Sequence, residues 1–191
     1  RVTIFSRDEL KQQQMRKEMP SARYILGDIR DFESVKRAMA GHDSVYHCAA
    51  LKHVDVGEAN PEEFYKTNVT GTLNIVHAAI ESAHVAYCGF SSTDKAVLPI
   101  NTYGYTKALA ERIWQQYRSP DKTFEVYRWG NVIGSRGSAV NTFIDACKSG
   151  QPLTLTHRDM SRFWIPIETA AKFFLDPFPD QIPNTAGVII P

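Results

Sequence analysis

Residues 85–95 have the sequence Val-Ala-Tyr-Cys-Gly-Phe-Ser-Ser-Thr-Asp-Lys, a mostly apolar run that ends in five polar residues. A short apolar run without strict alternation is typical of a β-strand that is covered on both faces. In an open parallel sheet, ligands bind beyond the carboxyl ends of the strands, so this polar cluster stands where a substrate would bind. The alternative is a plain turn with a helix cap, for which serine, threonine and aspartate are common.

The same kind of alternation extends in both directions along the chain. Short apolar runs follow longer segments of helical period, which is the pattern of strand-helix-strand units in a parallel sheet. The predicted strands are 2–5, 22–26, 44–47, 85–90 and 124–127. The predicted helices are 8–17, 32–40, 61–82, 103–117 and 140–149. For the third helix we expect a cap at Asn60, Pro61 in the first helical position and Glu63 in a capping box.

We predict an α/β fold, a doubly wound parallel sheet of the Rossmann type with helices on both faces, together with a small substrate-binding lobe. Residues 1–130 would form the dinucleotide-binding domain. Residues 131–191 would form mainly the substrate lobe, interleaved with the first domain, because proline and aromatic residues become more frequent after Pro152.

Composition excludes several classes of protein. The formal net charge of +1 gives no field that would attract nucleic acid, and no apolar stretch is long enough to span a bilayer. The cysteines Cys48, Cys88 and Cys147 are odd in number and widely spaced, which argues against disulfides and zinc sites. We therefore expect buried thiols, a cytoplasmic location and no metal site.

Tyr103 and Lys107 stand four residues apart at the start of a predicted helix, so both side chains face one side of it. An ammonium group near a phenol stabilises the phenolate, and we expect it to lower the pKa of Tyr103 toward the range of a general base. Taken alone, this spacing is more often an ordinary solvated helix face. The polar cluster directly upstream favours a catalytic pair.

The residues from Ser92 to Lys107 form the pattern Ser-Thr-Asp-Lys-Ala-x-x-Pro-x-Asn-x-Tyr-Gly-x-Thr-Lys. Further motifs are Gly27-Asp28-Ile29-Arg30-Asp31, Ala49-Ala50-Leu51-Lys52-His53-Val54, Lys66-Thr67-Asn68-Val69-x-Gly71-Thr72, Arg128-x-Gly130-Asn131-Val132-x-Gly134-Ser135-Arg136-Gly137-Ser138 and Thr156-x-x-x-Met160-x-Arg162-Phe163-Trp164-Ile165. Together they resemble the UDP-N-acetylglucosamine 4,6-dehydratases of bacterial surface-sugar synthesis, within the extended short-chain dehydrogenase/reductase superfamily. The resemblance covers essentially the whole chain.

This resemblance implies an internal redox cycle. Tyr103 would take the proton of the sugar 4-hydroxyl while hydride passes to the nicotinamide, with Lys107 on the nicotinamide ribose and Thr93 on the reacting hydroxyl. Lys95 would then remove the proton on carbon 5 while Asp94 protonates the departing 6-hydroxyl, and the hydride would return to carbon 6. A lysine base must be neutral, so we expect burial beside a cation such as Lys107 to lower the pKa of Lys95.

The cofactor predicted from the residues is NADP rather than NAD. Ser6-Arg7 follows the first predicted strand, where an NAD site usually offers an acid, and arginine suits a 2′-phosphate. The alternative is a surface arginine beside a helix cap. The resemblance adds further cofactor residues: Asp28 and Ile29 around the adenine, Ala49, Ala50 and Lys52 on the nicotinamide side, and Asn68, Tyr103 and Lys107.

The sequence departs from the family at its start. The family opens with a strand and a Gly-x-x-Gly-x-x-Gly turn that hold the pyrophosphate, and neither is in the sequence. That strand lies in the middle of the sheet, so we expect an unpaired slot between two strands and further residues upstream of Arg1. The chain also stops at Pro191, before the family's usual carboxyl-terminal segment.

The substrate predicted by resemblance is a UDP-sugar. Asn131, Arg136 and Arg162, with Lys52, are the candidates to bind it, because arginine pairs well with phosphate oxygens. Asn131 could instead anchor a turn, and Arg162 could be an ion-pair partner. The rival functions are a UDP-sugar 4-epimerase, which has no need of Asp94 and Lys95, and a non-catalytic nucleotide-binding relative. The resemblance to these enzymes also implies that the protein forms a homo-oligomer.

Overall fold

The structure, a computed structural model, describes residues 1–117, 120–135, 138–153, 155, 157–176 and 187–191. Its helices and strands are, in chain order, β1 (Thr3–Ser6), α1 (Glu9–Glu18), β2 (Arg23–Leu26), α2 (Phe32–Met39), β3 (Ser44–His47), α3 (Val54–Ala59), α4 (Pro61–Phe64), a π-helical segment (Tyr65–Thr70), α5 (Gly71–Glu81), β4 (Tyr87–Thr93), a 3₁₀ turn (Asp94–Ala96), α6 (Thr102–Gln116), β5 (Thr123–Trp129), β6 (Asn131–Ile133), α7 (Ala139–Lys148), β7 (Trp164–Pro166), α8 (Ile167–Leu175) and β8 (Val188–Ile189).

The strands form parallel sheets, as predicted. One sheet has the order β3-β4-β5-β8, a second consists of β1 and β2, and β6 pairs with β7 in a third. Among the strands that the structure describes, β1 pairs only with β2, and β3 pairs only with β4. Each of these two strands therefore has one edge without a partner among the described strands, and the slot between them stays a prediction.

Apolar side chains cover both faces of the larger sheet. On one face, Trp114 of α6 is fully buried and stacks on Phe90 of β4, with ring centroids 5.2 Å apart. On the other face, Phe174 of α8 packs edge-on against Tyr127 of β5, at 4.9 Å. Truncating a large buried aromatic residue typically costs about 3–5 kcal/mol, so these two clusters hold the helices on opposite faces of the sheet. The fold is thus doubly wound.

The predicted helix over 61–82 is divided into α4, the π-helical segment and α5. Pro61 occupies the first helical position, as predicted. The predicted capping box is wrong: the Asn60 amide donates 3.0 Å to the Val56 carbonyl oxygen, and Glu63 pairs with Arg30 at 2.8 Å. The physical reason is that Asn60 also ends helix α3, whose last carbonyl groups need a donor.

The segment after Gly130 contributes strands both to a small separate sheet and to the larger sheet. Strands β6 and β7 form a small sheet of their own after Gly130, whereas β8 pairs with β5 in the larger sheet.

Burial of the cysteines differs from expectation, because Cys88 is buried but Cys48 and Cys147 are exposed. Cys48 follows β3, which has one edge without a partner among the described strands, and Cys147 lies near the end of the exposed helix α7.

Candidate active site

Three predicted catalytic side chains meet in the 3₁₀ turn after β4. Thr93 ends the strand, and its hydroxyl donates a hydrogen bond of 3.0 Å to Asp94 Oδ1. The backbone N–H of Lys95 donates to the same hydroxyl at 3.4 Å. The Lys95 ammonium lies 3.0 Å from Asp94 Oδ1, and 38% of the lysine and 35% of the aspartate side chain are exposed. The turn therefore brings a hydroxyl, an acid and an amine together, with the acid and the amine partly exposed to solvent.

Helix α6 brings Tyr103 and Lys107 to this turn. The helix begins at Thr102, where the Asn101 side chain accepts a hydrogen bond of 2.8 Å from the Gly104 N–H. A cap of this kind stabilises a helix by about 1 kcal/mol. Because α6 packs against the 3₁₀ turn, the predicted pair stands beside the predicted cluster.

Lys107 is buried and held at two points. Its ammonium donates 2.8 Å to the Ser91 carbonyl oxygen and lies 3.8 Å from the centroid of the Phe90 ring. Burial lowers the pKa of Lys107 to about 7, while the carboxylate of Glu111 acts in the opposite direction. The protonated form of Lys107 is therefore harder to maintain than that of a solvated lysine.

The pKa of Tyr103 is raised rather than lowered, so the expected effect of Lys107 is wrong for this arrangement. Burial is the largest cause, a hydrogen bond with the Thr93 hydroxyl lowers the pKa, and the negative charge of Asp94 raises it. The Lys107 ammonium is engaged instead with the Ser91 carbonyl. The resting phenol is therefore protonated.

Lys95 is not buried beside Lys107, contrary to expectation. Its ammonium pairs with Asp94, and the lysine side chain is more than a third exposed. Its charge also acts on Lys52, whose pKa is lowered by burial and then by the charges of Lys11 and Lys95. Lys52, predicted to bind both cofactor and substrate, is therefore within electrostatic range of Lys95.

The residues predicted for the adenosine end lie beyond β1 and β2. Ser6 ends β1, and Arg7 Nη1 lies 3.3 Å from Asp28 Oδ2. Burial acts to raise the pKa of Asp28, but hydrogen bonds from Arg30 prevail, so that the pKa is lowered overall. Ile29 is 7% exposed and packs into the main core. The structure therefore brings Ser6, Arg7 and Asp28 to the strand ends, with Ile29 behind them.

Asn68 holds the loop on the nicotinamide side. It lies in the π-helical segment, a kind of distortion that is frequent at functional sites. Its amide accepts 2.8 Å from the Leu51 N–H and donates 2.9 Å to the Leu51 carbonyl and 3.0 Å to the Thr106 hydroxyl. Asn68 itself is 1% exposed, so its side chain fixes the loop from the protein interior. That loop contains three predicted site residues: Ala49, Ala50 and Lys52.

The predicted substrate residues follow β5. Asn131 begins β6, and its N–H donates 2.7 Å to the Phe163 carbonyl oxygen, which places Arg162 next to it in space. Arg162 is exposed, and its guanidinium donates 2.7 Å to the Ser161 carbonyl. Arg136 lies outside the described residues. The role of these three residues in substrate binding stays a prediction.

Sequence reasoning missed an ion pair next to the site, between a buried glutamate and a partly buried arginine. Glu111 of α6 and Arg128 of β5 form it, with Arg128 Nη2 at 2.6 Å from Glu111 Oε2. The spacing offers one signal, because Glu111 follows Lys107 by four residues and so shares its helix face. Its partner on β5 has no such signal.

The chain matches a known protein family in sequence and known enzymes in fold. A family model described as polysaccharide biosynthesis protein matches residues 1–182. The chain belongs to this family. Its fold is that of the extended short-chain dehydrogenases/reductases, and solved dTDP-glucose 4,6-dehydratases of Streptomyces venezuelae share it with TM-scores of 0.78.

Several named proteins are similar to the chain over most of its length. It is 42% identical to a UDP-N-acetylglucosamine 4,6-dehydratase (inverting) of Campylobacter jejuni, over 93% of this chain and 55% of that protein. It is also 42% identical to a UDP-glucose 4-epimerase of Rickettsia canadensis, over 93% and 53%. The X-ray structure of Pen from Bacillus thuringiensis has 39% identity and a TM-score of 0.85, over 92% and 56%. The chain thus spans about half the length of the curated relatives it matches.

Two features are absent from the part of the chain that the structure describes. No helix there is both long enough and apolar enough to cross a membrane. No three His, Cys, Asp or Glu side chains come together there as ligands of a metal ion.

Proposed function

We propose that the protein is an NADP-dependent 4,6-dehydratase that eliminates water from UDP-N-acetylglucosamine or a close analogue, giving a 4-keto-6-deoxy sugar nucleotide. The observation that supports this best is the contact of Asp94 with Lys95 at 3.0 Å, in the turn beside Tyr103. An elimination needs an acid and a base on neighbouring carbons, and this pair supplies both. The similarity to a named dehydratase points the same way.

The side chains present fit a nicotinamide dinucleotide. Ser6, Arg7 and Asp28 stand at the ends of β1 and β2, where they would hold the adenosine ribose and its phosphate. Lys107 is a buried ammonium that would hold the nicotinamide ribose from its place at the end of β4. When bound, oxidised nicotinamide supplies a hydride acceptor and a positive charge. The phosphate-binding glycine turn is not in the sequence.

The Asp94–Lys95 pair can form both a general acid and a general base without taking up a proton from solvent. As an ion pair it holds a carboxylate and an ammonium. Transfer of one proton from Lys95 Nζ to Asp94 Oδ1 gives a neutral amine and a carboxylic acid. The amine then takes the proton of carbon 5, the carbon–oxygen bond at carbon 6 breaks, and the acid protonates the hydroxyl that leaves as water. The pair returns to its starting charges.

Tyr103 and Thr93 act on the other hydroxyl of the sugar. The raised pKa of Tyr103 keeps the phenol protonated in the resting site, so its phenolate form requires added positive charge in the cleft. Thr93 donates to Asp94 and contacts Tyr103, and this places its hydroxyl between the two halves of the reaction. We assign Tyr103 to the proton of the 4-hydroxyl and Thr93 to its orientation.

The test uses the protein expressed from its complete gene, incubated with NADP and UDP-N-acetylglucosamine and analysed by mass spectrometry. A product lighter by one water supports dehydration, whereas an isomer of unchanged mass would establish the epimerase instead. Lys95→Ala should still bind NADPH but yield no product. Lys36→Ala, an exposed lysine on α2, is the matched control and should keep full turnover. Unchanged turnover in Lys95→Ala would refute its role as the base.

A 4-epimerase is the second candidate, since the identity to a protein of that name is equally high. Such an enzyme uses the Tyr103–Lys107 pair but has no step for the acid and base of the turn. Assembly as a homo-oligomer stays a prediction.

A further inference from the structure

The carboxylate of Glu111 is fixed under the catalytic turn, with 3% of its side chain exposed. The Ser92 hydroxyl donates to Glu111 Oε1 at 2.5 Å. The Arg128 guanidinium donates through Nε to Oε1 at 3.0 Å and to Oε2 at 3.1 Å, and through Nη2 to Oε2 at 2.6 Å. Both carboxylate oxygens are therefore bound, in the forked geometry that gives arginine–carboxylate pairs their rigidity.

This network joins the three elements that surround the site. Ser92 directly precedes Thr93 on β4 and is the register partner of Arg128 on β5. Glu111 follows Lys107 by one helical turn on α6. A change at Glu111 therefore reaches both the end of β4 and the lysine.

Titratable and charged groups from several elements face Lys107. Glu111 lies on the same helix as Lys107, and its carboxylate is bound by Arg128 of β5. His47 and Cys48 lie at the end of β3 and interact electrostatically with Lys107. Burial lowers the pKa of Lys107, and Glu111 is the largest influence that raises it again. A buried ammonium is costly unless an opposite charge acts on it, and the Glu111 carboxylate, one helical turn away on the same helix face, is the negative charge that acts on Lys107 most strongly.

We propose that Glu111 is a positioning residue of the dehydration: held by Ser92 and Arg128, its carboxylate fixes Lys107 against the end of β4. The inference rests on the function proposed above. Glu111 is separated from the reacting groups and acts through Lys107, whose ammonium stays at the Ser91 carbonyl oxygen. Without Glu111, the protonated form of Lys107 loses its counter-charge.

The experiment compares the wild-type protein, expressed from its complete gene, with Glu111→Gln. This variant keeps the shape and the Ser92 hydrogen bond but removes the charge. We expect kcat to fall about 10- to 100-fold with KM for the nucleotide sugar within about threefold, because positioning affects the reaction more than binding. We also expect the alkaline limb of the kcat–pH profile to move to lower pH, because Lys107 then loses its proton more readily.

Removing one partner of a buried ion pair can also prevent folding, so two further variants accompany the first. Glu111→Gln combined with Arg128→Met removes both charges, a replacement that buried pairs often tolerate. It should fold and should keep the low kcat and the shifted limb. Glu81→Gln breaks the exposed ion pair with Lys36 and should behave as wild type.

The outcomes separate the inference from the proposed function. Full kcat and an unshifted pH profile in Glu111→Gln would overturn the inference, and so would recovery of activity in the double variant, since the loss would then come from the unpaired Arg128. If the wild type forms no dehydrated product, the proposed function fails. The affinity for NADPH, titrated against pH in the same variants, then still tests whether Glu111 controls Lys107.

Discussion

A side chain on Gly104 would collide with the backbone of Lys95. A Cβ atom built at this position overlaps the Lys95 carbonyl oxygen and lies 2.9 Å from Pro99 Cβ. A backbone atom cannot move aside alone, so the glycine is what allows the first turn of α6 to approach the 3₁₀ turn so closely. The position of Tyr103 relative to the acid–base pair depends on this approach.

Gly104→Ala should therefore reduce turnover strongly. In an exposed helix the change would stabilise the protein by about 0.5–1 kcal/mol, because alanine is the better helix former. Here the methyl group pushes α6 away from Lys95, and a displacement of that kind can lower kcat about 100-fold. Turnover and urea unfolding measure the two effects.

The control is Gln116→Ala, an exposed position near the end of the same helix. It should change the free energy of unfolding by no more than about 0.5 kcal/mol and leave turnover unaltered. A Gly104→Ala variant that is more stable than wild type and fully active would contradict the close approach.

Local sequence was enough to predict much of the fold and the proximity of the three residues proposed for catalysis. The strand at 44–47 has the predicted bounds, and Thr93, Asp94 and Lys95 are contiguous, so their proximity required no knowledge of distant contacts. Helix α3 was missed because a helix of six residues is too short for a visible hydrophobic period.

The properties that could not be predicted depend on residues far apart in sequence. The pKa of Tyr103 depends on its burial and on Thr93, and the charge of Lys95 acts on Lys52, forty-three positions upstream. Pairing of Glu111 with Arg128 joins a helix to a strand. Spacing along one helix predicts which side chains share a face but gives no information about how deeply the fold buries them.

Leu98→Asn should stabilise the protein. Leu98 has φ +45°, a left-handed conformation that asparagine adopts at lower cost than leucine, and its side chain is 88% exposed, so little packing is lost. We expect a gain of about 0.5–1 kcal/mol in the free energy of unfolding, measured with urea.

Ile100→Asn is the matched control for Leu98→Asn. Ile100 is 89% exposed in the same loop, but among the residues that the structure describes only Leu98 has a positive φ outside glycine. The control should show no comparable gain. Equal stabilisation by both variants would mean that polarity, not backbone strain, is responsible.

Arg7→Ala should discriminate between the two nicotinamide cofactors. Arg7 pairs with Asp28 at 3.3 Å and is 48% exposed, which leaves its guanidinium accessible to a 2′-phosphate. Losing a charge-assisted hydrogen bond worth about 1.5–3 kcal/mol should weaken NADPH binding at least 10-fold and leave NADH binding nearly unchanged. Fluorescence titration with each cofactor measures this. The control is Arg16→Ala, which removes a different arginine, one that covers the Tyr24 ring. Equal losses for NADPH and NADH in Arg7→Ala would argue against the 2′-phosphate site.

His47 should make the fold sensitive to acid. It is buried between Phe90 and Trp114, its Nε2 lies 2.9 Å from the Thr72 hydroxyl, and burial together with the charge of Lys107 lowers its pKa from 6.5 to about 3.

Between these two values the unfolded chain binds a proton that the folded chain does not, so stability rises with pH and is lost as the pH falls below about 6.5. The contribution approaches about 1.4 kcal/mol for each pH unit in this window. His47→Asn keeps a partner for Thr72 but has no titration, and its free energy of unfolding should fall less steeply between about pH 7 and pH 5. Urea unfolding at several pH values compares the slopes, and parallel curves for wild type and variant would show that His47 takes up its proton equally in both states.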